Sequence, residues 1–250
     1  MKISHTRLGA QVLAIENVFY LSPMTMDFQG PRRGGVPIIF PQFANKGFLT
    51  KHGFARNCQW QMKLEECDGY GRLFYTKNIL SDDFPGWPHE AALEIQVVAI
   101  DKEIRIEMVV LNTGPTEFSW TGGLHPYFRV DNLMETWVEG FKMDYSSCEH
   151  SQSQFERGKD YFTFTDFGCE VLFLAHSKLK LITLSKTIDI ESEGFEEWMI
   201  WNPGKDGALR IADLPDDDWQ RFVCIEPVSV TTPIRLDVGQ KFKGALKISF

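Results

Sequence analysis

Two histidines and one glutamate stand out among the residues of this 250-residue chain that could move a proton. His125 lies in TGGLHPYFRV, between a glycine pair and an aromatic pair, and His52 lies in KHGFARN, ahead of Gly53 and Arg56. Glu226 closes the apolar run RFVCI (Arg221 to Ile225) and precedes Pro227, which suggests a carboxylate at a sheet edge or pocket mouth. An imidazole titrates near neutral pH and can act as a general acid there. A carboxyl drawn into an apolar pocket has its pKa raised and becomes a usable base. Each residue taken alone also has a plainer reading, a packed turn for the histidines and a solvated strand end for Glu226.

A second set of residues could hold an anion. Pro31-Arg32-Arg33-Gly34-Gly35 runs into VPIIFPQF, and a glycine pair lets backbone approach a ligand closely. Guanidinium groups offer planar, paired donors to phosphate or carboxylate. The GxxxxGK[ST] spacing of a phosphate loop is absent. Arg32 reads as a solvated turn, which leaves Arg33 and Arg56 as the candidates. Asp216-Asp217-Asp218 lacks the alternate spacing of a calcium loop and reads as a turn after Pro215. Trp87, Trp201 and Trp219 could be platforms for sugar faces or plain core. His5, His89, His150 and His176 have no partner in their surroundings and read as surface. The five cysteines, Cys58, Cys67, Cys148, Cys169 and Cys224, are scattered without a CxxC pair, so buried free thiols are expected rather than disulfides or zinc. No metal and no cofactor is expected.

The elements that must position these residues read as strands. LEIQVVAI (Leu93 to Ile100) and EIRIEMVVL (Glu103 to Leu111) flank Asp101-Lys102 and form an expected hairpin. Arg72 to Ile79, Glu170 to Ala175, Leu179 to Leu184, Arg221 to Ile225 and Ala245 to Phe250 have the same character. Single helical turns fit only within Asp213 to Gln220 and Ser192 to Glu197. Many strands with few short helices place the chain in the all-β class, as a sandwich or barrel. Ser146 to Asp160 is the most polar stretch and reads as an exposed loop inside one continuous domain, 1–250. Lys plus Arg is 26 against 34 for Asp plus Glu, a net charge of −8 that disfavours nucleic acid and anionic membrane as partners. Aromatic residues at 13% exclude a disordered chain. No targeting segment or membrane span is visible, so a cytoplasmic location is expected, and a monomer is compatible with the sequence.

Taken in order, RGGVPIIFPQF, HGFARNCQW, GGLHPYFRV, IWNPG and ADLPDDDWQRFVCIE resemble the hexose-6-phosphate mutarotases (glucose-6-phosphate 1-epimerases) of the aldose 1-epimerase superfamily. The resemblance implies a galactose-mutarotase-like antiparallel β-sandwich and a small sugar or sugar phosphate as partner. It implies His125 as general acid and Glu226 as general base, placed on opposite sides of the pyranose ring. It further implies Arg33 and Arg56 near the anionic end of the substrate, His52 positioning the sugar, and Asp213 on sugar hydroxyls. The chain departs from the family pattern at Ala44, Gly204, Gly207 and Leu209 without losing the acid or the base. Aldose 1-epimerisation of unphosphorylated hexoses and noncatalytic carbohydrate binding are the alternatives.

Overall fold

This computed structural model describes residues 1–27, 31–67, 70–141, 145–147, 161–174 and 178–250. The expected hairpin forms as Ala91–Ile100 against Glu103–Asn112, with Ile100 opposite Glu103. Alternation does the work: Leu93, Ile95, Val97, Ile104, Ile106, Met108 and Val110 all turn inward, each at most 1% exposed. At about 25 cal/mol per Å² of apolar surface, burying one such side chain contributes about 1.5–3 kcal/mol. This hairpin sits in a nine-stranded antiparallel sheet, between Lys241–Ser249 on one side and Tyr70–Ile79 on the other.

The second sheet has seven strands, in the order Tyr145–Ser147, Phe167–Leu174, Glu197–Pro203, Phe222–Leu236, Phe118–Leu124 and Ile38–Ile39, with Tyr127–Arg129 also pairing the long strand. The two sheets pack through one hydrophobic core. Trp120 of the seven-stranded sheet meets Phe242 of the nine-stranded one, ring centroids 5.3 Å apart. Phe222–Leu236 is buried continuously from Phe222 to Val230, because its inner face meets the core and its outer face is covered by other segments. The all-β class expected from the alternating runs, and the antiparallel sandwich implied by the resemblance, are the fold observed.

Several local expectations differ from the structure. The run ending at Ile225 continues through Glu226 and Pro227 to Leu236, so Glu226 lies inside a central strand rather than at an edge. Ser192 to Glu197 forms no helical turn, since Thr187–Glu193 and Glu197–Pro203 are strands joined through Gly194. Helix in the 213–220 region is confined to a 3₁₀ turn at Asp218–Arg221, and a short α-helix stands at Gly204–Ala208 instead. His5 is half-buried with Nδ1 2.6 Å from the Tyr75 hydroxyl, and His89 packs edge-on against Trp87, so neither is a plain surface residue. Cys58, Cys169 and Cys224 are free and buried, as expected. Ser146 and Ser147 lie in a strand rather than a loop, while the rest of the polar stretch (148–160), with Cys148, His150 and also His176, lies outside the described residues. Among the described residues no helix is long and apolar enough to cross a membrane.

Candidate active site

Strand register brings Glu226 and His125 together. Cys224 pairs with Tyr127 and Val228 pairs with Gly123, so the residue midway, Glu226, faces His125. The ladder between those pairs is interrupted at His125-Pro126, since proline has no N–H to give and His125 donates its own N–H to Pro37 on the opposite side. Gly123 explains the glycine beside the histidine: at φ +153° its backbone runs so close to the long strand that a Cβ would lie 2.2 Å from the Pro227 carbonyl oxygen. Two rungs of side chains result on the outer face of the sheet. Leu172, Met199, Glu226 and His125 form one, and Glu170, Trp201, Cys224 and Tyr127 form the other.

The His125 Nε2 lies 3.3 Å from Glu226 Oε1, and Glu226 is 1% exposed. The imidazole stacks on Tyr127, centroids 4.9 Å apart and planes within 13°. Burial pushes the Glu226 carboxyl well above its usual range, helped by the nearby Glu170 charge and opposed by Lys51. Burial also pushes His125 well below its ordinary value, and His52, Arg56 and Arg33 act in the same direction. Both effects favour neutral forms, a protonated carboxyl beside an uncharged imidazole. At 3.3 Å the two side chains are close enough for a proton to pass between them.

His52 stands next to this pair, its ring 5.6 Å from that of His125. Its Nδ1 accepts from the Ala44 N–H at 3.3 Å, which puts the proton of the neutral ring on Nε2. Burial, then the charges of Arg56, Lys51 and Arg33, lower its pKa to about 3, so the ring stays neutral and keeps that tautomer. Ala44 holds φ +47°, a left-handed conformation that accounts for the glycine usual here in the family it resembles.

Arg33 is held on both sides. The buried Gln11 amide donates to the Arg32 and Gly34 carbonyls at 2.8 and 2.7 Å, bracketing the residue between them. Gly34 at φ +118° passes the Tyr20 carbonyl so tightly that a Cβ would lie 2.3 Å from it. The guanidinium donates from Nε to Asp213 Oδ1 at 3.1 Å and from Nη1 to the Tyr127 hydroxyl at 3.2 Å. Arg56 donates to the Lys51 carbonyl at 2.9 Å, and its Nε is buried with no hydrogen-bond partner among the described residues. Arg32, expected as a solvated turn, lines the same cleft with Nη1 likewise unpartnered. A loop tied to Gln11 from Arg32 to Gly34 cannot splay into water.

The cleft between these groups has a volume of about 150 Å³. Its walls carry four cations, Arg32, Arg33, Lys51 and Arg56, on a chain whose net charge is −8. Trp201 lines it, whereas Trp87 and Trp219 are core, 6% and 4% exposed. Asp213 is 7% exposed, does not line the cleft, and spends its carboxylate on Arg33, so it positions that arginine rather than facing the space. A larger concavity of about 600 Å³ on the outer face of the nine-stranded sheet is lined by ordinary surface ion pairs such as Arg105 with Glu107. Of the two, the smaller cleft holds an acid and a base in contact, and chemistry outranks size here. Lys51 and Tyr127 lay inside the segments KHGFARN and TGGLHPYFRV without being singled out, and Glu170 and Gln11 carried no motif in the sequence. Of these, only Tyr127, two residues from His125 and so on the same strand face, had a positional signal.

The antiparallel sandwich, with its carboxyl and imidazole in a cation-rimmed cleft, matches a carbohydrate isomerase of the epimerase and mutarotase class. The chain belongs to the aldose 1-epimerase family, whose model matches residues 8–249. A Cenchrus ciliaris protein provisionally named a glucose-6-phosphate 1-epimerase is 30% identical over 248 residues, covering 94% of this chain and 75% of that one. A Salmonella typhimurium protein with the same provisional name is 31% identical, covering 93% and 81%. A crystal structure of a provisionally assigned mutarotase, YeaD, from Salmonella typhimurium superposes with a TM-score of 0.83 at 28% identity, covering 99% of this chain and 86% of that one.

Proposed function

We propose that this chain interconverts the α and β anomers of a hexose 6-phosphate, glucose 6-phosphate foremost, with Glu226 as base and His125 as acid. The observation that carries the reading is the buried Glu226–His125 contact at 3.3 Å inside a cleft walled by four cationic side chains. In the sugar, the hydroxyl O1 and the ring oxygen O5 share carbon C1. An acid and a base side by side can therefore reach both, and the two need not lie on opposite sides of the ring.

Transfer of the carboxyl proton from Glu226 to His125 across their contact readies the pair; the Glu226 carboxylate then takes the O1 proton, the C1–O5 bond breaks, and O5 takes a proton from His125 Nε2. The open aldehyde then faces a protonated Glu226 and a neutral His125. Rotation about C1–C2 presents the other carbonyl face. O5 attacks C1 and returns its proton to His125, while the carbonyl oxygen takes the proton back from Glu226. The protonation state that burial favours in the free site is the one that accompanies the open aldehyde. Burial therefore acts toward the open-aldehyde side of the step, against the cost of first charging the pair. The arginines supply orientation and take no part in bond-making.

Two-dimensional exchange NMR on glucose 6-phosphate, glucose and galactose tests the reading, the expected outcome being acceleration of the phosphorylated sugar alone. Acceleration of the free sugars would move the chain to general aldose epimerases, a reading favoured by the pairing of Arg33 with Asp213. No acceleration of any sugar would leave carbohydrate binding. Arg56→Ala is expected to raise KM for glucose 6-phosphate by about 10- to 100-fold, the loss of one charge-assisted contact. KM for glucose should stay within about twofold, since no phosphate is read. Equal changes on both sugars would show that the arginine does not read phosphate.

A further inference from the structure

The strand that presents Glu226 presents a thiol beside it. Cys224 lies two residues earlier on the same face, between Trp201 and Tyr127 in the register. One donor atom from each of His125, Cys224 and Glu226 lies within 4.8 Å of the other two, and all three residues are buried. Cys224 is a free thiol, and Glu226 Oε2 and His125 Nδ1 have no hydrogen-bond partner among the described residues. A nitrogen, a thiolate sulfur and a carboxylate oxygen, with a fourth position left for water, form a donor set suited to zinc.

We propose that His125, Cys224 and Glu226 form a binding site for one thiophilic divalent cation, Zn²⁺ foremost, whose occupancy shuts the sugar out of the acid and base. Tetrahedral zinc with bonds of about 2.0–2.3 Å places its donor atoms about 3.3–3.6 Å apart. The His125–Glu226 separation of 3.3 Å already meets that, so the adjustment falls on the thiol. Binding converts the thiol to a thiolate and requires Glu226 as carboxylate, releasing their protons. The bound unit of one Zn²⁺, one thiolate and one carboxylate is neutral, so the cations of the cleft do not repel it. Magnesium and calcium are disfavoured, since they seek six or more oxygen ligands. This site goes beyond anomer exchange, because its occupancy does not depend on which sugar is turned over.

The test uses the full chain, freed of metal and titrated with CoCl₂ as a spectroscopic probe and then with ZnCl₂. The expected result is one Co²⁺ per chain with a thiolate-to-cobalt charge-transfer absorption, displaced by one equivalent of Zn²⁺. Cys224→Ser should abolish the band, and His125→Asn should weaken zinc binding by at least about 10-fold. Cys58→Ser should leave the band in place. Cys224→Ala carries the same test where the serine variant proves unstable. Absence of stoichiometric binding, or a band that survives both Cys224 variants, would overturn the site. Anomer exchange should fall in proportion to zinc occupancy and return with EDTA, and binding that leaves exchange untouched would overturn the exclusion of sugar. The spectroscopic result stands even where no sugar is turned over, which separates failure of this site from failure of the mutarotase reading.

Discussion

Glu226→Gln is expected to slow catalysed anomer exchange by about 10²- to 10⁴-fold, the range a positioned general base contributes. The substitution keeps the shape of the side chain and removes its ability to accept the O1 proton. The fold should survive, because the carboxyl sits in a sheet whose inner face is intact and one of its oxygens already has no partner among the described residues. His125→Asn should fall in the same range. The double variant should lose little more than the worse single one, since acid and base act on one proton cycle. Exchange NMR alongside circular dichroism reads both quantities. A Glu226→Gln rate within about threefold of wild type would remove Glu226 as the base.

Glu197→Ala should destabilise the fold by about 3 kcal/mol or more, with no contact to substrate involved. The Glu197 carboxylate is 3% exposed and accepts from the main-chain N–H groups of Val230 and Thr231, the latter at 2.9 Å, and from the Thr231 hydroxyl. Those donors lie in a bulge of the long strand. Ser229 pairs with Gly122 and Ile234 with Trp120, so the strand takes five steps where its partner takes two. Without the carboxylate, three donors lose their acceptor, each costing about 1–3 kcal/mol where water cannot replace it. Glu197→Gln keeps one carbonyl oxygen and should fall between. Urea unfolding measures this directly, and a loss below about 1 kcal/mol would show that water fills the gap. The bulge begins three residues after Glu226, so this carboxylate also holds the strand in the register that opposes Glu226 to His125.

The strands with clean alternation were legible because the side-chain period of two is written into the residue types, as in Ala91–Ile100 and Glu103–Asn112. The short elements at 192–197 and 204–220 were not, since single turns carry too few residues to show a period. Among the site residues, His125, His52 and Glu226 lay in segments distinctive enough to mark them, and all three line the cleft. Arg32 was misread because its polarity says nothing about Gln11, which ties its backbone from twenty-one residues away.

By itself the sequence determined the all-β class, the acidic balance, and which histidines and which glutamate to suspect. Only the tertiary structure decided that Glu226 faces His125, that Asp213 is spent on Arg33 across 180 residues of chain, and that Tyr127 joins the arginine to the imidazole. The physical reason is that alternation states which face a side chain takes but not which strand lies beside it or in what register. Proton-sharing distances and burial, which set the protonation of the pair, arise only when distant strands are laid side by side.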